Sequence, residues 1–237
     1  MTSAPVAVEI QDLKKSYGFK PILRGIDLQV RAGERVALLG ANGAGKTTLL
    51  RILACLAKPS AGSVHLYGWN CARDVQEVRR LIGFVGHQSY LYEELTAREN
   101  LEFFARMYSV PEGRERALTW LNRVGLEKYA RERVGTFSRG QLQRLSWARA
   151  LLHQPDLLLL DEPDTGLDQQ GLVLIDKLLD EHIERSGSAI FITHQLERAQ
   201  ALSDRIVLLA RGRIARRCES EETSLETLRQ VYQEVVG

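Results

Sequence analysis

The sequence predicts an α/β fold, a largely parallel sheet covered by helices on both faces with a helical lobe inserted into it. Three observations predict it. Continuous apolar runs at 36–39 and 157–160, with 189–193 following, read as strands buried on both faces. Helical periodicity alternates with these runs. Between Gly171 and Gly187 it places Leu172, Ile175, Leu178, Leu179 and Ile183 on one face, with Gly187 as the stop. The stretch 89–155 breaks the alternation, being helical in pattern with little strand signal.

The elements follow in order. A first strand is expected from the alternation at 6–10, and the strand at 36–39 leads through a glycine-rich turn into a helical run at 49–56. In the lobe, Thr96 and Glu99 have the spacing of a capping box and precede Leu101, Phe104, Ala105 and Tyr108 on one face. A later helix carries Leu142, Leu145, Ala148, Leu151 and Leu152, and the basic run RGRIARR at 211–217 reads as a solvated hairpin turning at Gly212. Thr223 and Glu226 repeat the cap spacing. Leu225, Leu228, Val231, Tyr232 and Val235 then form an amphipathic helix, expected at about 224–236, that docks on its own domain. The expected organisation is one domain over 6–237 with the lobe inserted at about 89–155.

Composition bounds the function classes. The chain of 237 residues is 44% hydrophobic and 26% charged, the balance of an ordinary soluble globular protein. A net charge of +2 gives no electrostatic reason to expect nucleic-acid binding. No apolar stretch approaches the ~20 residues that span a bilayer, and the N-terminus lacks a signal-peptide core. A cytosolic chain is expected, unless a partner holds it at a membrane. Cys55, Cys71 and Cys218 are expected as free thiols. His65, His87, His153 and His182 have no metal-ligand spacing and read as surface or helix residues.

The chemistry begins with GANGAGKTT, spanning Gly40, Ala41, Asn42, Gly43, Ala44, Gly45, Lys46, Thr47 and Thr48. A strand before and a helix after are the context this phosphate-loop pattern requires. Its glycines permit positive φ and close backbone approach, so that successive N–H groups and a helix N-terminus point at a β-phosphate. Lys46 would reach the β- and γ-phosphates of ATP, and the Thr47 hydroxyl would ligate Mg²⁺. Asp161 follows four leucines, at the C-terminal end of a buried strand where ligands of open α/β sheets bind. Its carboxylate would hold Mg²⁺ through water, and Glu162 is the natural general base for the attacking water.

FSRGQLQRL, with Ser138, Gly140 and Gln141 opening a helix ~20 residues before Asp161, has no use in an ordinary phosphate-loop enzyme. With Tyr17, Gln88, LLLLDEP, TGLD and His194 in this order, the chain resembles the ATP-binding cassette (ABC) ATPases from about residue 8 to 216. The resemblance implies the phosphate-loop sheet domain with an inserted α-helical subdomain that defines the ABC ATPase fold. It implies that Tyr17 stacks on adenine and that Gln88 joins Mg²⁺ and senses the γ-phosphate. It also implies that Ser138, Gly140 and Gln141 contact the γ-phosphate held by a second copy. Asp168 belongs to the loop crossing the dimer interface, and His194 touches the γ-phosphate and the attacking water. Arg139 departs from the small residue usual at its position, and Asp164 replaces a more usual Ser or Thr. The phosphate contact is expected to persist with Arg139 facing solvent or a partner.

One phosphate loop and one signature helix make complete sites if two chains pair head to tail, as a homodimer or with another ABC ATPase. A single cassette without a membrane span is expected to work with an integral membrane permease subunit, peripheral on the cytoplasmic face of the cell membrane. GHQSYLYEELTARENLEFFARMY at 86–108 and the variant signature resemble the haem-exporter ATP-binding subunits of cytochrome c biogenesis. Drug, lipid or ion exporters are the alternative. A soluble, non-transport ABC ATPase would ordinarily carry two cassettes, coiled coils or zinc motifs. The segment 89–95, with Tyr90, Leu91 and Tyr92, is expected to dock the membrane partner or to pack within the lobe.

Overall fold

The computed structural model describes residues 5–236, so Gly237, the end of the expected domain, lies outside it. The chain opens with an antiparallel hairpin, β1 (Val6–Tyr17) and β2 (Lys20–Arg31). Val8 and Ile10 point inward, and an irregularity at Asp12, whose φ is 43°, brings Leu13 back to the same core. β3 (Arg35–Gly40) then runs into the glycine-rich turn and α1 (Lys46–Leu53). The helix ends at Leu53, three residues before the periodicity suggested, because Cys55 turns left-handed with φ 54°.

β4 (Ala61–Leu66) and β5 (Trp69–Asn70) join the hairpin in a four-stranded antiparallel sheet of order β2-β1-β4-β5. This sheet is absent from the sequence reading apart from the first half of β1. α2 (Val75–Leu81) leads into β6 (Ile82–Val85). Then come α3 (Ala97–Met107), α4 (Gly113–Arg123), two 3₁₀ turns (Glu127–Tyr129 and Val134–Thr136) and α5 (Arg139–Leu151). β7 (Leu157–Asp161), α6 (Gln169–Glu184), β8 (Ser188–Ile192), α7 (Leu196–Leu202), β9 (Arg205–Ala210), β10 (Arg213–Glu219) and α8 (Leu225–Val236) complete the chain.

The second sheet has order β10-β9-β3-β8-β7-β6. Its pairs are parallel except β10 against β9. Both faces of its central strands are covered, which is why Leu157–Asp161 and Ser188–Ile192 are buried at every position. One face packs with α1 against the antiparallel sheet, through Leu49, Leu50, Ile52 and Leu53 on the helix and Val8, Ile10 and Val64 on the strands. The other face supports α5, α6 and the helices between β6 and β7, through Leu101, Leu121, Leu145, Trp147 and Leu178.

Of two local readings near the C-terminal end, the hairpin holds and the cap needs correction. The turn at Gly212 is formed with φ values of 49° at Arg211 and 78° at Gly212, the mirror-image turn that suits a twisted hairpin. The run is solvated as expected, with Arg211, Arg213, Arg216 and Arg217 exposed, while Gly212 itself is buried on β2: Arg24 N donates to Gly212 O at 2.8 Å, and a Cβ on Gly212 would stand 2.2 Å from Ile22 O. The last helix is capped by Ser224, whose Oγ accepts from Thr227 N at 3.1 Å, and not by Thr223. Thr223 instead presents its carbonyl to Gln200. Leu228 of α8 is buried, with Val231, Tyr232 and Val235 packed against the same core.

Candidate functional site

The site forms where parallel strands β3, β7 and β8 end. The turn after β3 has φ 143°, 78° and 106° at Gly40, Gly43 and Gly45. Gly40 cannot be replaced without collision, since a Cβ there would lie 2.1 Å from Leu209 O on β9. Gly45 caps α1 and touches Leu23 of β2, so the two sheets meet behind the loop. Lys46 is buried and folds back onto the loop, donating from Nζ to Gly40 O at 2.7 Å and Ala41 O at 3.0 Å. Burial pushes its ammonium below the usual lysine range, opposed by the nearby Glu162 and Asp161 carboxylates.

Thr47 Oγ1 donates to Asp161 Oδ1 at 3.3 Å, joining the start of α1 to the end of β7. Burial raises the Asp161 carboxyl above the usual aspartate range; the Thr47 hydrogen bond and the charges of His87 and Lys46 oppose the shift, and Glu162 adds to it. A buried carboxylate beside a hydroxyl is a hard oxygen donor pair, the chemistry that suits Mg²⁺. A divalent cation would compensate the desolvation that Asp161 experiences, so these residues fit the ion. Gln88 is exposed and bonds to neither residue; it shares a cavity of about 430 Å³ with Glu162, Gln143 and Thr165.

Glu162 lies just past β7 with φ 53°, a left-handed conformation that costs a non-glycine residue ~1–2 kcal/mol. The surrounding structure holds it there. Its N–H donates to Ile192 O on β8 at 3.1 Å, while Gln143 and Trp147 of α5 both donate to Pro163 O, at 2.8 and 3.4 Å. His194, two residues past β8, places Nε2 3.0 Å from Glu162 Oε1. Asp164, which stands where Ser or Thr is more usual, is in an ion-pair network. Arg198 reaches its Oδ2 at 3.3 Å and Asp176 Oδ1 at 2.6 Å. Sequence reasoning missed Arg198, Gln143 and Trp147. The last two are spaced i, i+4 on α5, and that face was the available signal.

The signature residues form the start of α5. Ser138 is its N-cap, with a reciprocal box: Gln141 N donates to Ser138 Oγ at 3.3 Å, and Ser138 N to Gln141 Oε1 at 2.8 Å. Gly140 lies against the 162–168 loop, a Cβ there meeting Gly166 O at 3.1 Å. Asp168 caps α6 through Gly171 N and pairs with Arg144 at 3.0 Å. Ser138, Gly140, Gln141 and Asp168 line a cavity of about 610 Å³ that shares no residue with the phosphate loop. Tyr17 ends β1, exposed beside Lys15, whose Nζ sits 4.8 Å from its ring centre. Its register partner Lys20 is two residues from Ile22, which approaches Gly45.

His182 lies in α6 and Cys55 is a free thiol, both as expected, and three polar side chains make contacts that the sequence does not announce. His153 is half-buried: it stacks on Tyr108 at 3.9 Å, and its Nε2 lies 3.0 Å from Ile82 O. Buried His182 contacts Ser188 O through Nε2 at 2.9 Å. Cys55, far from Cys71 in sequence, donates from Sγ to the Cys71 carbonyl at 3.5 Å.

A model of the family described as "ABC transporter" matches residues 23–165. The ABC transporter ATP-binding protein NatA of Bacillus subtilis (strain 168) is 37% identical over 207 residues, covering 86% of this chain and 83% of NatA. The daunorubicin resistance ATP-binding protein DrrA3 of Streptomyces coeruleorubidus is 37% identical over 226 residues, 94% of this chain and 72% of DrrA3. Among solved structures, the dimeric post-hydrolysis state of the ATP-binding cassette MJ0796 bound to ADP and Pi superposes with a TM-score of 0.83. It is 32% identical, with 90% of this chain and 98% of that chain covered. A phosphate loop facing a buried Asp161, a Glu162–His194 pair and a signature helix on one sheet, together with these matches, make the chain an ATPase of the ABC transporter ATP-binding family.

Proposed function

We propose that the chain is the motor subunit of an ABC exporter, hydrolysing ATP at sites shared by two copies and driving a separate membrane subunit. The contact between His194 Nε2 and Glu162 Oε1 at 3.0 Å, next to the Lys46, Thr47 and Asp161 cluster, carries the hydrolytic reading. Backbone N–H groups of 40–48 bind the phosphates, and Lys46 exchanges its two loop carbonyls for β- and γ-phosphate oxygens. Thr47 and Asp161 would hold Mg²⁺, Asp161 through water, with Gln88 joining them from the hinge into the lobe. When bound, that ion neutralises charge developing on the phosphates. Glu162 accepts the proton of the attacking water, and His194 orients the Glu162 carboxylate towards it. Tyr17 stacks on adenine, worth ~1–3 kcal/mol and tolerant of the base.

Because the Ser138, Gly140 and Gln141 cavity is separate from the phosphate loop of its own chain, a second copy completes each site at a two-fold interface. Asp168 and its loop lie on that interface. ATP then closes the pair, and hydrolysis opens it. Glu162→Gln is expected to keep MgATP binding, lower turnover roughly 100-fold or more and accumulate a nucleotide-bound dimer in gel filtration. Unchanged steady-state hydrolysis would remove Glu162 from the role of base.

The membrane subunit docks in a groove of about 450 Å³ beside the lobe hinge, lined by Phe84, Tyr90, Tyr92, Phe104 and Met107. Arg149, which donates to Phe84 O, forms its floor, with burial bringing the guanidinium down to about 10. Among the described residues no helix is long and apolar enough to cross a membrane, so translocation belongs to that subunit, with this chain peripheral on its cytoplasmic face. The drug-resistance relative supports export of a small organic molecule. Haem delivery for cytochrome c biogenesis is the second reading, supported by the pattern at 86–108 and FSRGQLQRL. ATPase activity of the reconstituted transporter, stimulated by an anthracycline and not by haem, selects the first reading, and the reverse selects the second.

A further inference from the structure

Arg139 is the signature residue without a use so far, and its surroundings give it one. It is the first residue of α5, and its side chain lies along the 162–168 loop. Its Cγ and Cδ sit 2.8 Å from where a Cβ on Gly166 would stand, and Gly166 has φ 81°, so glycine leaves the bed in which the aliphatic stem rests. The residue as a whole is exposed, with Nε 3.3 Å from the same point on Gly166. Arg139 lines both the cavity formed by Ser138, Gly140 and Asp168 and the cavity that contains Glu162 and Gln88. Of the cations on the signature side, Arg144 is neutralised by Asp168 at 3.0 Å. Among the described residues Arg139 forms no ion pair and no side-chain hydrogen bond.

An unpaired guanidinium seated on a glycine, at the mouth of a cavity with a hydroxyl and helix N–H groups, is suited to a polyanion approaching from outside the chain. We propose that Arg139 supplies a charged contact to the triphosphate held by the second copy, a cation delivered across the interface in addition to the Ser138 and Gly140 donors. The inference rests on the two-copy reading above. Its physical basis is the planar fork of arginine, which matches two phosphate oxygens and forms charge-assisted hydrogen bonds stronger than neutral ones. A cation supplied in trans is a recognised way of stabilising charge on a transferring phosphoryl group. Arg139 therefore makes closure more dependent on the γ-phosphate and on ionic strength than neutral signature donors alone would.

The test measures dimer formation against MgATP concentration by light scattering, in the Glu162→Gln background. Arg139→Gln keeps most of the stem on Gly166 but loses the charge, and is expected to raise the half-maximal MgATP concentration roughly tenfold. Arg139→Lys keeps the charge without the fork and should restore part of that loss. The difference between Arg and Gln should shrink in about 0.5 M salt, where charges more than a few ångströms apart are screened. Equal midpoints for Arg139 and Arg139→Gln overturn the proposal while leaving the two-copy site intact. Equal losses in Arg139→Gln and Arg139→Lys assign the residue to packing on Gly166 and also overturn it. If Glu162→Gln alone stays monomeric in saturating MgATP, the shared site itself is wrong, and the role for Arg139 falls with it.

Discussion

Glu162 occupies a backbone conformation that nothing in its own side chain favours, and its φ of 53° is held by neighbours from two other elements, β8 and α5. Asp161 and Glu162 were legible as chemistry because two acids follow a fully apolar run. That His194 reaches Glu162 Oε1 could not be read from residues 32 positions apart without the register of β7 beside β8. His153 illustrates the opposite failure. It sits in a polar stretch and reads as exposed, yet burial takes its imidazole from the ordinary 6.5 down to about 4, with the Ile82 carbonyl opposing the shift and Arg149 adding to it. A folded-state pKa below the unfolded one means that the contribution to stability is complete above pH 6.5 and disappears as pH falls towards 4. The shift corresponds to ~3 kcal/mol, lost when the ring must be protonated. Urea midpoints between pH 7.5 and 4.5 should therefore fall less steeply for His153→Phe than for the parent protein, and parallel curves would remove His153 from this role.

At the scale of elements, caps were the most readable feature and also misled once. The Thr96–Glu99 box is complete: Glu99 N donates to Thr96 Oγ1 at 3.2 Å, and Thr96 N to Glu99 Oε2 at 2.8 Å. The same spacing at Thr223 and Glu226 is not used, because Ser224 is one residue closer to the helix and takes the cap. Thr96→Ala should cost ~1 kcal/mol in denaturant unfolding and Ser224→Ala ~0.5–1 kcal/mol, whereas Thr223→Ala should fall within the scatter of surface substitutions. A larger loss for Thr223→Ala than for Ser224→Ala would reverse the assignment. Strands were read where the apolar run is continuous. β2 carries alternate Ile26, Leu28 and Val30, but Pro21, Arg24 and Gly25 at φ 89° interrupt the pattern before them. β6 is four residues long and directly follows a helix, which leaves no room for a period to show.

For the whole molecule, the main consequence is that two cores share the parallel sheet, one towards the antiparallel strands and α1, the other towards the lobe helices. The lobe hinge after β6 carries Gln88 on the cavity with Glu162 and Tyr90 on both that cavity and the aromatic groove. The cavity with Glu162 and the groove proposed for docking are thus joined by a few residues of chain. Tyr90→Ala with Tyr92→Ala should retain MgATP binding by calorimetry but lose co-purification with the membrane subunit and the coupling of its transport to ATPase activity. Intact assembly and coupling would place the groove outside the docking surface.

Phosphate-loop glycines, Lys46, the apolar runs ending in Asp161 and the signature at 137–141 declare themselves in one dimension, because each depends on residues that are close together in sequence. The contact of Thr47 with Asp161, of His194 with Glu162 and of Arg139 with Gly166 depends on strand order β9-β3-β8-β7 and on α5 packing over the loop after β7. Strand neighbours and helix docking are set by long-range burial of apolar surface, and no local pattern encodes which buried strand lies beside which.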